Sequence, residues 1–509
     1  MKKWLLLFIL LLALTPVIII GGGLVPITSV AVLWNTLTGS GIDTPQQQVL
    51  DQRFQLADGF SLNVYAGDLP NARFMAISEH QAILVSRPHQ GDVVLIQPDQ
   101  QNKTVGGQRD ILIQGLTRPS GIAIHQGWLY IGEANRIGRI AFDSATASTS
   151  GDYQTLVSGL TDDGNHPYKQ IKIGPDGMLY LSQGSTCNVC LEEDSRRATM
   201  SRYQLDGSGE QLIATGLRNT MGFDWAPWNN ALYGTDNGRD MLGDDYPPCE
   251  LNLIEAGQFY GWPYFNGANQ ADPDFPEAPK ALASSAQPPA FEFPAHNAPL
   301  GMTFIDAATL PDRFEKTALV ALHGSWNRSV PDGYKVVSLH WQQGEIVSRD
   351  LISGFEKNAD VIGRPVDIAQ GSDGAIYISD DYAGAIYRLV YDGNDNQQNA
   401  ATSTATAPAT SAALTPISLT TPSWLTDDNR EALYQRGQAI VAQRPCLRCH
   451  QTATPNSNLD LASIGQRRQY QQIIERLIQP TPPMPNYSFS EEDQKALAVY
   501  LVFESLKPK

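Results

Sequence analysis

Residues Gly363–Leu389 read GRPVDIAQGSDGAIYISDDYAGAIYRL. The stretch opens on Arg364-Pro365-Val366-Asp367, breaks at a Gly-Ser-Asp-Gly turn, and carries the pair Ile376-Tyr377 in a second short apolar run. Both parts recur upstream. The apolar pair returns at Leu129-Tyr130, Leu179-Tyr180 and Leu232-Tyr233, with poorer copies at Ile83-Leu84 and Leu319-Val320. The preceding element returns as Arg118-Pro119-Ser120-Gly121, Pro167-Tyr168-Lys169 and Arg218-Asn219-Thr220-Met221-Gly222. Six such units, about 50 residues apart except where insertions lengthen a gap, predict a radial propeller with four antiparallel strands per blade. No unit can bury both faces of its sheet alone, so the units close on one another. Residues 53–393 are therefore expected to form an all-β six-bladed β-propeller. If the apolar pairs lie in equivalent strands, the polar residues just beyond them converge at one tunnel end: Arg87, Glu133, Gln183, Asn237, His323 and Asp380.

Composition agrees with many short strands. The 509 residues include 43 Gly and 33 Pro, with 17% charged and 42% hydrophobic residues, which disfavours a helical solenoid and excludes wholesale disorder. With 36 basic against 53 acidic residues the net charge is -17, so a phosphate backbone would be repelled and no nucleic-acid partner is expected.

The N-terminus starts Met1-Lys2-Lys3 and then runs from Trp4 to Asn35 without a charge. That exceeds the roughly 20 residues needed to cross a bilayer. Residues 1–35 are read as an N-terminal transmembrane anchor, the alternative being a long cleaved signal. Either places the body on the periplasmic side of a bacterial cytoplasmic membrane. Residues 36–52 read as a connector. Among five cysteines, Cys187 and Cys190 form CNVC, and in that compartment a local disulfide between them is expected.

Residues 394–426, including TSTATAPATSAA, are too polar to fold and form a linker. Residues 427–509 read as a small all-α domain, with helices over 429–444, 468–477 and 491–505, the last capped by Ser490. Cys446-Leu447-Arg448-Cys449-His450 is the CxxCH attachment signature of a c-type haem. Cys446 and Cys449 would be linked to the porphyrin, His450 would bind iron, and Met484 between prolines is the expected second axial ligand. This stretch resembles the small class I cytochromes c, which implies a single haem used for electron transfer.

No Gly-rich dinucleotide fingerprint follows a strand, so a nicotinamide or Rossmann-type flavin site is not expected. Five stretches instead resemble the soluble-type quinoprotein glucose dehydrogenases, more closely their sorbosone and aldose dehydrogenase branch. They are Gly164-Asn165-His166 leading into GPDGMLYLSQGSTCNVC, GLRNTMGFDW from Gly216, DNGRDMLGDDYPPCELNLIEAGQFYGWPY from Asp236, HGSWNRSVPDGYKVV from His323, and the Gly363 stretch. The resemblance implies pyrroloquinoline quinone and calcium at one end of the tunnel, and oxidation of a sugar or sorbosone-like aldehyde.

Carried over residue by residue, the resemblance makes His166 the general base. Arg218, Asn219, Lys335 and Arg364 become quinone contacts, suited to a cofactor with three carboxylates. Asn165 stands where that family has an acid, leaving Asp162 or Asp163 to orient the imidazole. Gly238 and Arg239 match the calcium loop, whose ligands include backbone carbonyls, and Asp240, Asp244 and Asp245 make it acidic. Cys249 stands in PPCELN in place of the branch's acid, as a free thiol or a contact of the CNVC loop. The expected electron path runs from sugar to quinone to the fused haem, then to a downstream cytochrome or membrane acceptor. Two other classes are a calcium-dependent sugar lactonase, needing a carboxylate-rich tunnel without the cluster of Arg218, Lys335 and Arg364, and a non-catalytic binding propeller that carries a cytochrome.

Overall fold

The computed structural model describes residues 41–277, 279–393, 421–422, 424–443, 464, 470–478 and 489–506. Contacts divide the chain into two units, residues 1–401 and 402–509.

The first unit is a six-bladed propeller. From the axis outward the first blade runs Met75–Ile77, Ile83–Arg87, Asp92–Pro98, Gly106–Gln114. The innermost strands of the next five are Ile122–His125, Lys169–Ile173, Thr220–Trp225, Pro299–Phe304 and Pro365–Gln370. All six apolar pairs fall in the second strand of their blade, as in Leu179–Gln183 and Ile376–Asp380. Those two strands are buried at every position because neighbouring blades cover both faces, so each opens on three consecutive apolar residues rather than an alternation and turns polar only at its site end. The outer strands of the first two blades face solvent. Gly106–Gln114 carries exposed Arg109 and Asp110, charges that discourage pairing at an open edge.

The ring closes through its first strand. Phe60–Ala66 is the outer strand of the last blade, antiparallel to Ala385–Tyr391, with Leu62 opposite Leu389 and Val64 opposite Tyr387. The expected connector is partly structured: Gln47–Arg53 is helical and buries Leu50 in the core containing Phe355 and Tyr387. Gln55–Leu56 then extends the fifth sheet beside Glu345–Ser353. Near the tunnel end Phe74, Met221, Leu300 and Val366, from four different blades, pack together with Tyr168 against them. They form an apolar floor across the axis.

In the second unit the described helices are Asp427–Gln443, Tyr470–Ile478 and Glu491–Leu506, close to the expected bounds. Val441, Ile473, Leu477, Leu497 and Leu501 form their shared core. The last helix is capped as expected: Asp493 N–H donates to Ser490 Oγ at 3.2 Å, and Ser490 N–H returns to the Asp493 carboxylate at 3.3 Å. Gly437 permits a close helix crossing, since a Cβ there would collide with the Ala496 carbonyl. Cys446, Cys449, His450 and Met484, the N-terminal run expected to be an anchor and most of the expected linker lie outside the described residues. Among the described residues no helix is long and apolar enough to cross a membrane.

Candidate active site at one end of the tunnel

Register fixes where the functional side chains gather. The start of each inner strand pairs with the end of the second: Lys169 with Gln183, Thr220 with Asp236, Pro299 with Leu322, Pro365 with Asp380. Residues entering the inner strand and leaving the second therefore share one end of the tunnel.

His166 enters the third blade there. Its Nδ1 lies 2.8 Å from the Ser185 carbonyl and 2.9 Å from Ser185 Oγ. A carbonyl only accepts, so Nδ1 carries the proton and Nε2 keeps its lone pair, the tautomer a general base needs. Burial first, and then the Arg218 guanidinium, push this imidazole well below its ordinary pKa, with Arg197 adding to the effect. Neither expected orienting acid performs that role. Asp162 sits 3.6 Å from Arg118 and Asp163 is exposed, so Ser185 replaces them. Gly184 is required beside the base, because a Cβ would collide with Asn219 Oδ1 and come within 2.8 Å of His166 Cβ.

The loops on both sides of His166 hang on Arg197. This fully buried side chain donates from Nε to the Gly184 carbonyl, from Nη1 to Thr161 at 2.7 Å, and from Nη2 to His166 at 2.8 Å and Ser185 at 2.9 Å. Lys169 Nζ donates to the Thr161 and Pro167 carbonyls, both at 2.9 Å. Burial first, then Arg197, lowers that ammonium's pKa to about 7.

Arg218 is buried one blade on. Its Nε and Nη2 donate to the carbonyl and side-chain oxygens of Asn188, each at 2.9 Å, and Nη1 to the Asn237 and Gly238 carbonyls at 3.1 and 3.0 Å. Asp240 Oδ2 lies 3.4 Å from Nη2. Asn188 belongs to the CNVC loop, in which Cys187 and Cys190 are joined by the expected disulfide.

Across the tunnel Arg73 pairs with Asp381 Oδ2, whose Oδ1 accepts from His323 Nε2 at 2.9 Å. Burial alone would raise the Asp381 carboxyl, but His323, Arg73 and Arg364 hold it below the usual carboxylate range. Burial, then Arg364, lowers His323 to about 4, so this imidazole is neutral with Nε2 protonated. Arg364 donates to the His323 carbonyl at 3.2 Å and the Gly324 carbonyl at 2.9 Å. The Arg73 guanidinium also stacks 4.9 Å from the Tyr168 ring centre.

The structure thus gathers His166, Arg218, Asn219, Asn237, His323 and Arg364 at this end, but not every expected residue. Lys335 turns to Asp350 on the outer strand of its blade, 2.8 Å away. Arg87 pairs with Asp92, and Glu133 with Arg136 and Tyr153, within their own blades. Asp380 accepts the backbone N–H groups of Arg364, Tyr382 and Ala383, so it shapes the turn while Asp381 faces the site. The Gly238 carbonyl is taken by Arg218, and the Arg239 side chain is ion-paired with Asp272 and Asp274. Cys249 is a free buried thiol; burial raises it to about 11, and the N–H groups of Gly238, His296 and Ala298 face its sulfur.

Arg73, Asp381, Asn188 and Arg197 were not singled out in the sequence. Arg73 was findable, since Arg73-Phe74 leads into the first inner strand as Arg218-Asn219 leads into the fourth. Buried polar atoms without a partner cluster here: Arg73 Nε, Asn219 Oδ1, Asn327 Oδ1, and both amide atoms of Gln183 and Asn297. Unmet donors and acceptors beside three arginines suit an anionic ligand rich in oxygen and nitrogen.

A family model described as TrAA12-like matches residues 54–252 and 272–392. An uncharacterised protein of Borreliella burgdorferi is 37% identical over 234 residues, 45% of this chain and 61% of its own length. The aldose sugar dehydrogenase YliI of Escherichia coli is 23% identical over 277 residues, 51% of this chain and 68% of that protein. Among solved structures, the calcium structure of the Trichoderma reesei family AA12 enzyme superimposes with TM-score 0.59 at 20% identity, over 70% of this chain and 99% of that one. The holo PQQ domain of pyranose dehydrogenase from Coprinopsis cinerea gives 0.56 at 22%, over 66% and 97%. At these identities the superpositions establish the fold.

Proposed function

The chain belongs to the TrAA12-like family, whose model matches more than half its length, and from that premise we propose that it is a pyrroloquinoline-quinone-dependent dehydrogenase of a sugar or sugar-like aldehyde. The observation that carries the proposal is the meeting of Arg73, Arg218 and Arg364 with two neutral imidazoles above an apolar floor. A calcium-dependent lactonase would need a carboxylate-rich mouth, and the arginine cluster argues against it.

When bound, the quinone supplies the acceptor for a hydride leaving the sugar carbon. The chain's own part is to hold and deprotonate. Arg73, Arg218 and Arg364 offer fixed positive charge to carboxylates in a site shielded from water, where it counts most. His166 takes the substrate hydroxyl proton at Nε2, its opposite nitrogen fixed by Ser185. The floor of Phe74, Met221, Leu300, Val366 and Tyr168 keeps water from entering beneath. For calcium, a hard ion that takes oxygen ligands, the Asp240 carboxylate and the unpartnered Oδ1 of Asn327 beside it are candidate ligands together with the Arg239 carbonyl, the Gly238 carbonyl being engaged by Arg218.

The CxxCH motif and the packed helices of residues 427–506 support a fused haem c that removes the electrons singly and passes them to a downstream cytochrome or membrane acceptor. The uncharged N-terminal run supports an anchor that keeps both units on the periplasmic side. The test is reconstitution of purified protein with calcium and pyrroloquinoline quinone, then a screen of aldoses, sorbosone and simple alcohols with a dye acceptor. Turnover on a sugar or aldehyde is expected. Failure to retain any quinone would refute the reading.

A further inference from the structure

Asn188 makes more contacts to the site than any role so far requires. Its carbonyl and side-chain oxygens accept from Arg218 Nε and Nη2, both at 2.9 Å, so one residue fills a whole edge of the guanidinium fork. The same Oδ1 accepts the Asp240 N–H at 2.8 Å, while Nδ2 donates to the Asp240 carbonyl at 3.1 Å. Trp262 Nε1 adds a longer bond to the Asn188 carbonyl, at 3.4 Å. Asn188 thus bonds both the arginine and the acidic loop.

The segment carrying it has no regular secondary structure and is only half-buried. Ordering such a loop carries an entropic cost that its few contacts must overcome. The Cys187–Cys190 disulfide closes a small ring around Asn188 and Val189 and limits the states from which Asn188 must be recruited. The loop also reaches the base: Ser185 Oγ, which accepts from His166 Nδ1, donates to the Cys187 carbonyl at 2.7 Å.

We propose that Asn188 is the positioning residue of Arg218 and of the Asp240 loop, and that the disulfide enclosing it acts on the site through Asn188. Its consequence for cofactor binding rests on the reading of Arg218 as a holder of an anionic quinone.

Full-length wild type, Asn188→Ala, the Cys187→Ser/Cys190→Ser pair, the triple variant and Asn188→Asp would be compared. Quinone affinity is measured by equilibrium dialysis with calcium, and hydrogen exchange is followed at the Asp240 amide. Asn188→Ala and the serine pair should each weaken quinone binding about 10- to 100-fold, the range for losing charge-assisted hydrogen bonds. The triple variant should be no weaker than Asn188→Ala, because both changes disable one device. Exchange at Asp240 should quicken in all three. Asn188→Asp keeps the acceptor for that amide and should retain its protection, while its added charge offsets Arg218 and weakens quinone binding. Wild-type affinity in Asn188→Ala or in the serine pair, or additive losses in the triple variant, would overturn the proposal. If wild type itself binds no quinone, the cofactor reading falls and the exchange arm decides the clamp. Unchanged exchange at Asp240 in Asn188→Ala would then remove it.

Discussion

Replacing Arg197 by methionine is expected to destabilise the propeller and to shift the acid limb of its activity. The side chain is fully buried, and no ion pair involves it among the described residues; backbone carbonyls solvate its charge. Without it the Thr161 carbonyl keeps Lys169 Nζ, and the Ser185 carbonyl keeps His166 Nδ1. The Gly184 and His166 carbonyls lose their recorded donor. Two buried carbonyls left unpaired cost about 1–3 kcal/mol each, partly offset because a desolvated charge is removed too, so a net loss of about 2–4 kcal/mol is expected. Urea unfolding of the wild type and variant measures it. The second effect has the opposite origin. Arg197 is one of the cations that disfavour protonation of His166, so its loss raises that pKa toward the ordinary value. Activity, which needs His166 unprotonated, should then begin to fall at a higher pH than in wild type. An Arg197→Met protein with wild-type unfolding and an unmoved acid limb would refute the reasoning.

Other expectations follow from the same geometry. His166→Ala should leave quinone affinity nearly intact while slowing quinone reduction by roughly 10²–10⁴, seen by stopped-flow at saturating sugar. Lys335→Ala should change neither quinone affinity nor stability by more than about 1 kcal/mol, because its exposed ion pair with Asp350 contributes little; Arg73→Ala should weaken quinone binding in the same dialysis assay. Burial and neighbouring Asp236 raise Glu250 from 4.5 to about 8, so its contribution is complete below pH 4.5 and lost as pH rises through 8. The melting temperature of Glu250→Gln should therefore fall less than that of wild type between pH 5 and pH 9, the new amide donating to the orphaned Asn252 Oδ1.

What the sequence revealed, and what it hid, divides along a physical line. The apolar pairs were legible because the middle of a second strand covered on both faces favours apolar side chains, as at Leu179–Leu181. Arg218 and Arg364 stood out because each opens a recurring element flanked by turn residues. Arg73 opens the same element, but Phe74 and Met75 replace the Pro and Gly that punctuate other copies. Closure by Phe60–Ala66 left no local trace, since its partners lie more than 300 residues away. Choosing Asp381 over Asp380 required knowing which side chain turns back into its own loop. Lys335 shows a related limit: its register brings it to the site end of its blade, while its ammonium pairs with Asp350.

The floor formed by Phe74, Met221, Leu300, Val366 and Tyr168 crosses the axis beneath the arginines, so a molecule held above it would be reached from the mouth of the tunnel. On the proposed function, sugar, oxidised product and any dye acceptor that must reach the quinone itself would take turns at that mouth. Steady-state kinetics should accordingly be ping-pong, with parallel double-reciprocal lines when sugar is varied at several concentrations of a dye that takes electrons directly from the quinone. Excess sugar should compete with that dye by re-entering the tunnel before the electrons have left.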